Sequence, residues 1–238
     1  MITTGILLAA GEGSRLRSAT PFKPLCMVAG RSLLAHALEG FAEAGLKRAV
    51  VVLGYGADEI AGHIAARRWP LTVETVTNSD YQSPNGTSVL AAETLVGAEE
   101  ALLAMSDHLV EPALYRLVAE AGAAAGARLG IDRRTASDWV DIEDVTRVQT
   151  AGDRIVAIGK GLVAFDSFDT GMFAIGPGLF DALRSLDSPS LTEGMRILAD
   201  EGTALAVDCG DLVWIDVDDQ AALDKAERWM AARRTASA

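Results

Sequence analysis

Residues 5–16 read Gly5-Ile-Leu-Leu-Ala-Ala-Gly-Glu-Gly-Ser-Arg-Leu16, and Pro21-Phe-Lys-Pro-Leu25 follows shortly afterwards. The apolar half of this stretch predicts a buried strand that ends abruptly in small residues and glycines. Small residues let backbone N–H groups approach an anion closely, and Arg15 and Lys23 bring positive charge to the same place. The stretch therefore predicts a strand that leads into a phosphate-binding loop.

This loop does not match the two most familiar phosphate-binding motifs. A dinucleotide-binding fingerprint needs a third glycine where the chain has Leu16, and an acidic residue where it has Leu53-Gly-Tyr55. A Walker A loop needs Gly-Lys-Ser/Thr at a fixed spacing after Gly11, and the sequence does not contain it. Both NAD binding and P-loop chemistry are therefore disfavoured.

The composition limits the class of protein. The 238 residues are 50% hydrophobic and 23% charged, which is enough for an α/β domain with a substantial core. The net charge of -12 argues against a general nucleic-acid-binding surface, although a few local cations could still hold a small anion. The two cysteines are too few for a disulfide scaffold. Since no basic leader and no apolar run near ~20 residues is present, we expect a cytoplasmic protein without a membrane segment.

Strands and helices alternate through the first half of the chain. Apolar runs predict strands at residues 4–9, 48–53, 71–76, 101–104 and 127–131. Helical periodicity predicts helices at residues 33–44, 57–67, 87–96 and 112–123, the first of them capped by Ser32. This alternation predicts an α/β fold with a Rossmann-like, doubly wound, mostly parallel sheet.

The second half of the chain has shorter segments. Residues 145–150 and 154–158 flank Ala151-Gly-Asp153, which is typical of a hairpin. Further strands are predicted at residues 168–175, 204–208 and 213–217, with helices at residues 178–185, 191–201 and 219–232. We therefore expect one domain, residues 1–238, in which a β-rich portion at about 132–218 is inserted into a mixed sheet before the last helix.

Two carboxylates directly follow apolar strands. Asp107 comes after the strand at residues 101–104, and Asp216 comes after Leu212-Val-Trp-Ile215. Open α/β sheets bind ligands at the carboxyl ends of their strands, and carboxylate oxygens suit Mg²⁺. We therefore predict that Asp107 and Asp216 hold Mg²⁺. Asp218 and Asp219 are predicted to cap the last helix, and His108 is given no catalytic role.

The opening motifs, Leu8-Ala-Ala-Gly-Glu-Gly-Ser-Arg-Leu16 with Lys23-Pro-Leu25, resemble the signature of nucleotidyltransferases that activate sugar and alcohol phosphates. The resemblance narrows to CTP:inositol-1-phosphate cytidylyltransferases through motifs spread over the rest of the chain. These motifs are Asn85-Gly-Thr-Ser88, Ser106-Asp-His108, Asp132-Arg-Arg134, Val140-Asp-Ile-Glu-Asp-Val-Thr-Arg147, Gly159-Lys160, Asp169-Thr-Gly171 and Trp214-Ile-Asp-Val-Asp218.

The resemblance implies a Mg²⁺-dependent transfer of CMP from CTP to a phosphorylated polyol, with inositol 1-phosphate as the favoured acceptor and pyrophosphate as the leaving group. It implies a nucleotide-binding half at about 1–131, an acceptor-binding portion at about 132–218 and a C-terminal helix at about 219–232. Arg15, Lys23 and Lys160 would contact the reacting phosphates. The nucleotide-binding residues implied are Leu8, Ala9, Ala10, Gly11, Gly13, Asn85, Gly86, Thr87, Ser88 and Ser106. The acceptor-binding residues implied are Arg133, Asp141, Asp144, Asp169 and Thr170.

Two alternatives stay open at this point. The acceptor could instead be phosphocholine, an aminoalkylphosphonate or a sugar 1-phosphate, with CTP or another nucleotide as donor. The chain could also be a non-catalytic nucleotide-binding domain, although such a domain has no need of two metal carboxylates. The expected partners are small molecules in each case, with no nucleic acid, and a homodimer is left open.

Overall fold

The computed structural model describes residues 1–17, 20–136 and 140–236. Its strands are β1 (Thr4–Ala9), β2 (Met27–Val28), β3 (Arg31–Ser32), β4 (Arg48–Leu53), β5 (Thr72–Thr77), β6 (Ala101–Met105), β7 (His108–Val110), β8 (Ala127–Asp132), β9 (Arg147–Ala151), β10 (Arg154–Gly159), β11 (Ser167–Ile175), β12 (Ala204–Asp208) and β13 (Trp214–Asp216). Its helices are α1 (Leu33–Glu43), α2 (Ala57–Ala65), α3 (Gly86–Val96), α4 (Pro112–Ala121), α5 (Pro177–Arg184), α6 (Leu191–Asp200) and α7 (Gln220–Ala236).

Nine strands form one mixed sheet in the order β5-β4-β1-β6-β11-β8-β12-β10-β9. The neighbours β5, β4, β1 and β6 are parallel, as are β8 and β12. Strand β11 runs antiparallel to β6, β8 and β9, and β10 runs antiparallel to β12 and β9. The predicted α/β fold with a mixed sheet is therefore confirmed, and the antiparallel pairs all involve strands of the second half.

Helices cover both faces of this sheet, because successive side chains of a strand point to opposite faces. On β1, Leu7 packs in a cluster with side chains of α1, α2 and α4. Its neighbours Ile6 and Leu8 pack on the other face with side chains of α3, α5 and α6. The Val- and Leu-rich strands β1 and β4 are buried on both faces as a result, which is the doubly wound arrangement that the sequence predicts.

A third apolar cluster lies beside the sheet and joins the N-terminal loop to the C-terminal part of the chain. It contains Leu16 of the loop, Leu109 of β7, Ile215 of β13 and Ala226 of α7. Strands β7 and β13 pair antiparallel as a separate two-stranded sheet. This cluster therefore fixes the loop, β7 and β13 relative to one another, and the candidate site lies where they meet.

The ends of the elements follow local sequence. Ser32 caps α1, because its Oγ accepts a hydrogen bond from Ala35 N at 3.2 Å. The β2–β3 hairpin turns through Ala29 and Gly30, both with positive φ. Strands β2, β3 and β7 are two or three residues long, too short for an apolar pattern to predict. Within the described part of the chain, none of the helices combines the length and apolar character that crossing a bilayer requires.

Candidate active site

The loop after β1 is shaped by a close approach between Gly13 and Lys23. Gly13 has φ of +56°, and a Cβ at this position would lie 2.4 Å from Lys23 Cβ. Glycine is therefore required both for the backbone conformation and for the space. Leu16 is 1% exposed in the third cluster and anchors the middle of the loop. The loop consequently brings Lys23 back against the end of β1.

Lys23 lies among three carboxylates. Its side chain is 9% exposed, and its Nζ lies 2.7 Å from Asp107 Oδ2 and 3.8 Å from Asp216 Oδ1. The same Nζ also forms an ion pair with Asp218. A buried lysine needs such partners, because desolvation of an unpaired ammonium group is costly.

Arg15 is bound by two carboxylates, and one of them links it to the second half of the chain. Arg15 Nη2 donates to Asp144 Oδ2 at 2.7 Å and to Asp218. Asp144 also pairs with Lys160, which follows β10. Hydrogen bonds from Lys160 and Arg15 lower the pKa of Asp144. Asp144 thus connects the N-terminal loop to Lys160.

The position of the Asp218 side chain differs from the predicted helix cap. The sequence predicts a helix cap at this position, whereas the structure places its carboxylate between Arg15 and Lys23. Asp219 alone acts as the cap, since its Oδ1 accepts a hydrogen bond from Ala222 N at 2.8 Å. The signal was ambiguous because two aspartates before a helix are typical of capping, and Asp218 is 203 positions from Arg15 in the sequence.

Asp107, His108 and Asp216 form a compact group in which one potential ligand atom of each residue lies within 4.8 Å of the others. The pairing of β7 with β13 places Asp216 opposite His108, and Val217 N donates to Asp107 O at 3.0 Å. Asp216 Oδ1 is buried and has no hydrogen-bond partner. A buried carboxylate oxygen of this kind fits a cation, and two carboxylates with an imidazole suit a divalent metal ion.

The pKa values of this group are strongly perturbed. Burial would raise the pKa of Asp107, but the charge of Lys23 and the contact with His108 lower it overall. Burial raises the pKa of Asp216, and the charge of Asp107 raises it further. Burial would lower the pKa of His108, but Asp216 and Asp107 raise it overall. A divalent cation among these groups would favour the ionised form of both carboxylates.

Two cavities meet at this group. The smaller one, of about 280 Å³, lies along the N-terminal loop. The larger one, of about 490 Å³, lies between the second half of the sheet and α7. Both cavities are lined by Arg15, Asp107 and Asp218. A ligand in one cavity can therefore contact a ligand in the other at these three residues.

The predicted nucleotide-binding residues of the loop divide into two groups. Leu8, Gly11, Gly13 and Ser106 line the smaller cavity. Ala9 and Ala10 are 1% and 5% exposed, and their side chains belong to the two cores of the sheet. The Ala10 carbonyl oxygen accepts a hydrogen bond from Tyr55 N at 3.0 Å, so it is already used in joining β1 to the loop after β4.

The predicted nucleotide-binding motif Asn85-Gly-Thr-Ser88 is largely occupied by contacts within the protein. Asn78 Nδ2 donates to the hydroxyls of Thr87 and Ser88, both at 3.0 Å. Gly86 gives room for Pro189 O, which would lie 2.5 Å from a Cβ. Asn85 accepts a hydrogen bond from Leu191 N at 2.9 Å and lines the larger cavity rather than the smaller one.

Besides Asp216, four predicted site residues of the second half line the larger cavity. They are Asp141, Asp144, Lys160 and Asp169. Asp169 Oδ1 accepts a hydrogen bond from Gly171 N at 2.7 Å. Burial raises the pKa of Asp169 to about 6. This carboxylate therefore changes charge close to neutral pH.

Two residues predicted to bind the acceptor lie away from the larger cavity. Thr170 is fully buried, and its hydroxyl donates to Gly130 O at 2.7 Å. Arg133, just after β8, donates to the Thr150 hydroxyl of β9 at 3.1 Å and lies 3.5 Å from Asp166. The neighbour of Thr170 on β11, Asp169, lines the larger cavity, because adjacent residues of a strand face opposite sides.

His108 and Trp214 belong to the site but carried no functional assignment from the sequence. His108 Nδ1 lies 2.9 Å from Asp107 Oδ1, and its ring stacks against Trp214 with the centroids 6.1 Å apart. Both side chains line the larger cavity. A lone histidine in a sequence carries little information, but a histidine directly after the predicted metal ligand Asp107 could have indicated that it belongs to the site.

Relatives of known name resemble the chain over nearly its whole length. A bifunctional IPC transferase and DIPP synthase of Rubrobacter xylanophilus is 36% identical over 218 residues, which cover 89% of this chain and 48% of the relative. A protein of the same name from Aquifex aeolicus is 28% identical, covering 97% of this chain and 52% of the relative. The chain thus spans about half the length of these relatives.

Solved structures share the fold. The inositol-1-phosphate CTP transferase of T. maritima superposes with a TM-score of 0.86 at 26% identity, covering 97% of this chain and 95% of that one. A UDP-glucose pyrophosphorylase superposes with a TM-score of 0.77 at 16% identity, covering 98% of this chain and 100% of that one. The second likeness concerns the fold alone.

The model of the MobA-like NTP transferase domain family matches residues 5–204. This range begins in β1, includes the loop and Asp107, and ends as β12 begins. Because the match spans most of the chain, the protein belongs to the MobA-like NTP transferase domain family and is a nucleotidyltransferase.

Proposed function

We propose that the protein transfers CMP from CTP to inositol 1-phosphate, releasing pyrophosphate and forming CDP-inositol. The observation that carries this proposal is the junction of the two cavities at Arg15, Asp107 and Asp218. Transfer of a nucleotidyl group needs donor and acceptor phosphates in contact at one place, and ligands in the two cavities would meet at this junction. The similarity to the T. maritima inositol-1-phosphate CTP transferase supports CTP and inositol 1-phosphate, and the similarity to IPC transferases agrees with it.

In this proposal the smaller cavity takes the triphosphate. Gly11 and Gly13 would offer backbone contacts, and Arg15 and Lys23 would neutralise the phosphates. Both cations are paired with carboxylates, so a bound triphosphate replaces some of those contacts. The attacking phosphate oxygen is already an anion, and the reaction therefore needs alignment and charge neutralisation more than a strong base.

A divalent ion, Mg²⁺ by preference, would be held by Asp107 and Asp216, with Asp218 close by. The buried Asp216 Oδ1 without a hydrogen-bond partner supports this assignment. When bound, Mg²⁺ would neutralise negative charge on the donor phosphates. Lys23 would keep Asp107 ionised and in place, since its Nζ lies 2.7 Å from Asp107 Oδ2.

The larger cavity would take the acceptor, and the chain would act as one nucleotidyltransferase domain with its acceptor side in the second half. Lys160 would neutralise the acceptor phosphate. Asp141 and Asp169 would accept hydrogen bonds from hydroxyl groups of the polyol. Seven aspartates line this cavity: Asp107, Asp141, Asp144, Asp169, Asp216, Asp218 and Asp219. Because the other five have metal, ion-pair or helix-cap roles, Asp141 and Asp169 are the ones proposed to accept from hydroxyl groups.

Pyrophosphate release tests this proposal directly. The purified protein is incubated with Mg²⁺, with each of the four common nucleoside triphosphates and with a panel of phosphorylated alcohols, sugars and phosphonates. We expect the fastest release with CTP and inositol 1-phosphate, and a product with the mass of CDP-inositol. Faster release with another nucleotide would refute CTP as the donor. Faster release with phosphocholine would refute inositol 1-phosphate as the acceptor.

A matched pair of variants connects the reaction to the site. Asp107→Asn should abolish pyrophosphate release while circular dichroism shows an intact fold, because the metal loses a carboxylate ligand. Asp153→Asn, in the exposed turn between β9 and β10, should retain the wild-type rate. Near-normal turnover of Asp107→Asn would remove Asp107 from the proposed metal site.

A further inference from the structure

Asp132 is a fully buried carboxylate at the end of β8 that lines neither cavity. Its Oδ1 accepts hydrogen bonds from Arg134 N at 2.9 Å and Arg134 Nε at 2.8 Å. Its Oδ2 accepts from Arg134 Nη2 and from Trp214 Nε1, both at 2.9 Å. A buried carboxylate with this many donors is a costly feature, which indicates a function in fixing one geometry.

Arg134 extends this network to the chain segment that precedes β13. Arg134 Nη2 donates to the Leu212 carbonyl oxygen at 2.8 Å. Cys209 N donates to the Ile131 carbonyl oxygen at 2.8 Å, and Leu212 N donates to Cys209 O at 3.1 Å. The turn from Cys209 to Leu212 is therefore tied to the end of β8 just before the chain enters β13.

Strand β13 is only three residues long, and it carries Asp216. Trp214 and Asp216 are two positions apart, so their side chains lie on the same face of the strand, and both line the larger cavity. Ile215 points the opposite way into the third apolar cluster. Fixing the Trp214 side chain therefore fixes the rotation of the strand and the direction of Asp216.

The Trp214 ring also makes contact with the other side of the site. It lies nearly parallel to the His108 ring, at an interplanar angle of 13°. The indole is thus held at its nitrogen by Asp132 and at its face by His108. In a strand this short, a slip by one residue would turn the Asp216 side chain away from Asp107.

We propose that Asp132, acting through Arg134 and the Trp214 indole, is a positioning residue that holds Asp216 beside Asp107. This inference rests on the proposed role of Asp216 as a metal ligand. Asp132 and Arg134 lie outside both cavities, and Trp214 is the member of the network that lines the larger one. Groups that hydrogen-bond to a metal ligand commonly change metal affinity by about 10- to 100-fold, and for Asp132, which acts through Trp214, we expect the lower end, about 10-fold.

Trp214→Phe tests the proposal, because phenylalanine keeps an aromatic ring against His108 but loses the indole donor to Asp132 together with part of the ring volume. Asp132 keeps its bonds to Arg134, so we expect the fold to survive. The control is Trp69→Phe, which also removes one indole hydrogen bond, from Trp69 Nε1 to Ile64 O at 2.9 Å, far from the cavities.

The readouts separate positioning from general stability. Hydrogen exchange of the Val217 amide, which bonds to Asp107 O, reports how β13 sits against β7 in metal-free protein. Mn²⁺ titration followed by electron paramagnetic resonance reports the metal site without substrates. For Trp214→Phe we expect exchange at Val217 and the Mn²⁺ dissociation constant each to rise by about 10-fold, with wild-type values in Trp69→Phe.

Wild-type Val217 exchange or wild-type Mn²⁺ affinity in Trp214→Phe would overturn the proposal. If that variant does not fold, Arg134→Lys takes its place. Lysine keeps the positive charge beside Asp132 but cannot form the fork of hydrogen bonds that Arg134 makes. Faster Val217 exchange and weaker Mn²⁺ binding are again expected. Failure of the proposed function is recognised separately, as wild-type protein that binds Mn²⁺ but releases no pyrophosphate from any nucleotide.

Discussion

Lys23 shows how closely the charge of one side chain is matched to its surroundings. Lys23→Met keeps the length of the buried side chain but leaves Asp107, Asp216 and Asp218 without their shared ammonium group. We expect a loss of at least about 2 kcal/mol of transition-state stabilisation, about 30-fold in kcat/KM, because charge-assisted contacts to phosphate disappear. Steady-state pyrophosphate release by wild type and Lys23→Met measures this loss in kcat/KM.

Lys47→Met is the control for this change, since Lys47 is exposed and lines neither cavity. Its kcat/KM should equal the wild-type value. If Lys23→Met lost less than about five-fold, the Lys23 charge would be a structural feature of the folded protein and not a contact to the triphosphate.

The raised pKa of Asp169 predicts that the free energy of unfolding depends on pH. Its pKa is raised from 3.8 to about 6 in the folded protein, so the folded state holds this proton more tightly than the unfolded chain. The free energy of unfolding therefore falls as the pH rises through this range, and the penalty is complete above pH 6. Asp169→Asn removes the penalty and can still accept the bond from Gly171 N.

Urea unfolding at two pH values measures this effect. At neutral pH we expect Asp169→Asn to be more stable than wild type by about 1 to 2 kcal/mol, less than the full shift gives because the carboxylate is partly exposed to the cavity. At a pH near 4 the two proteins should agree, since the Asp169 carboxyl is then protonated in the folded state. A stabilisation independent of pH would contradict the assigned titration.

The loop between β1 and the Lys23–Leu25 turn supplies a test with two glycines of different surroundings. Gly13→Ala should lower the free energy of unfolding by about 1 to 3 kcal/mol, because φ is positive and the added Cβ would lie 2.4 Å from Lys23 Cβ. Gly11→Ala should change it by less than about 0.5 kcal/mol, because no atom lies within 4 Å of its added Cβ. Equal losses in both variants would contradict the close approach.

Sequence patterns predict the strands and helices of this chain better than they predict which side chains face the site. Strand β1, the capped helix α1 and the hairpin of β9 and β10 follow from local patterns, and the strand-end rule leads to Asp107 and Asp216, which the structure brings together. The role of these two residues as metal ligands stays a prediction. Short strands such as β7 carry too few residues for a pattern.

Three positions of the candidate site depend on tertiary structure that local sequence does not show. Thr170 lies in β11 beside Asp169, which lines the larger cavity, and the side that a strand residue faces is decided by strand pairing. Arg133 follows β8 and contacts Thr150 and Asp166, which come later in the chain. Asp218 was missed because its partners Arg15 and Lys23 come from the other end of the chain. Tertiary contacts of this separation leave no local signal in a single sequence.

The folded protein as a whole has a net charge of -12, and the proposed reaction joins two anions. Three cationic side chains, Arg15, Lys160 and Lys225, line the larger cavity, against seven aspartates. The field outside the cavity therefore opposes the approach of an anionic acceptor, while the paired cations act only at short range. Long-range repulsion is screened by salt, because the Debye length falls to about 8 Å at physiological ionic strength.

We therefore expect kcat/KM for inositol 1-phosphate to rise at least about two-fold between roughly 0.02 M and 0.15 M ionic strength, at saturating CTP and Mg²⁺. Enzymes whose clefts attract anions show the opposite trend, because salt screens attraction. Sodium chloride and potassium glutamate at equal ionic strength should agree, which separates screening from specific anion binding at Arg15 or Lys160. A steady fall with salt in both would mean that the local cations, and not the net charge of the protein, govern the encounter with the acceptor.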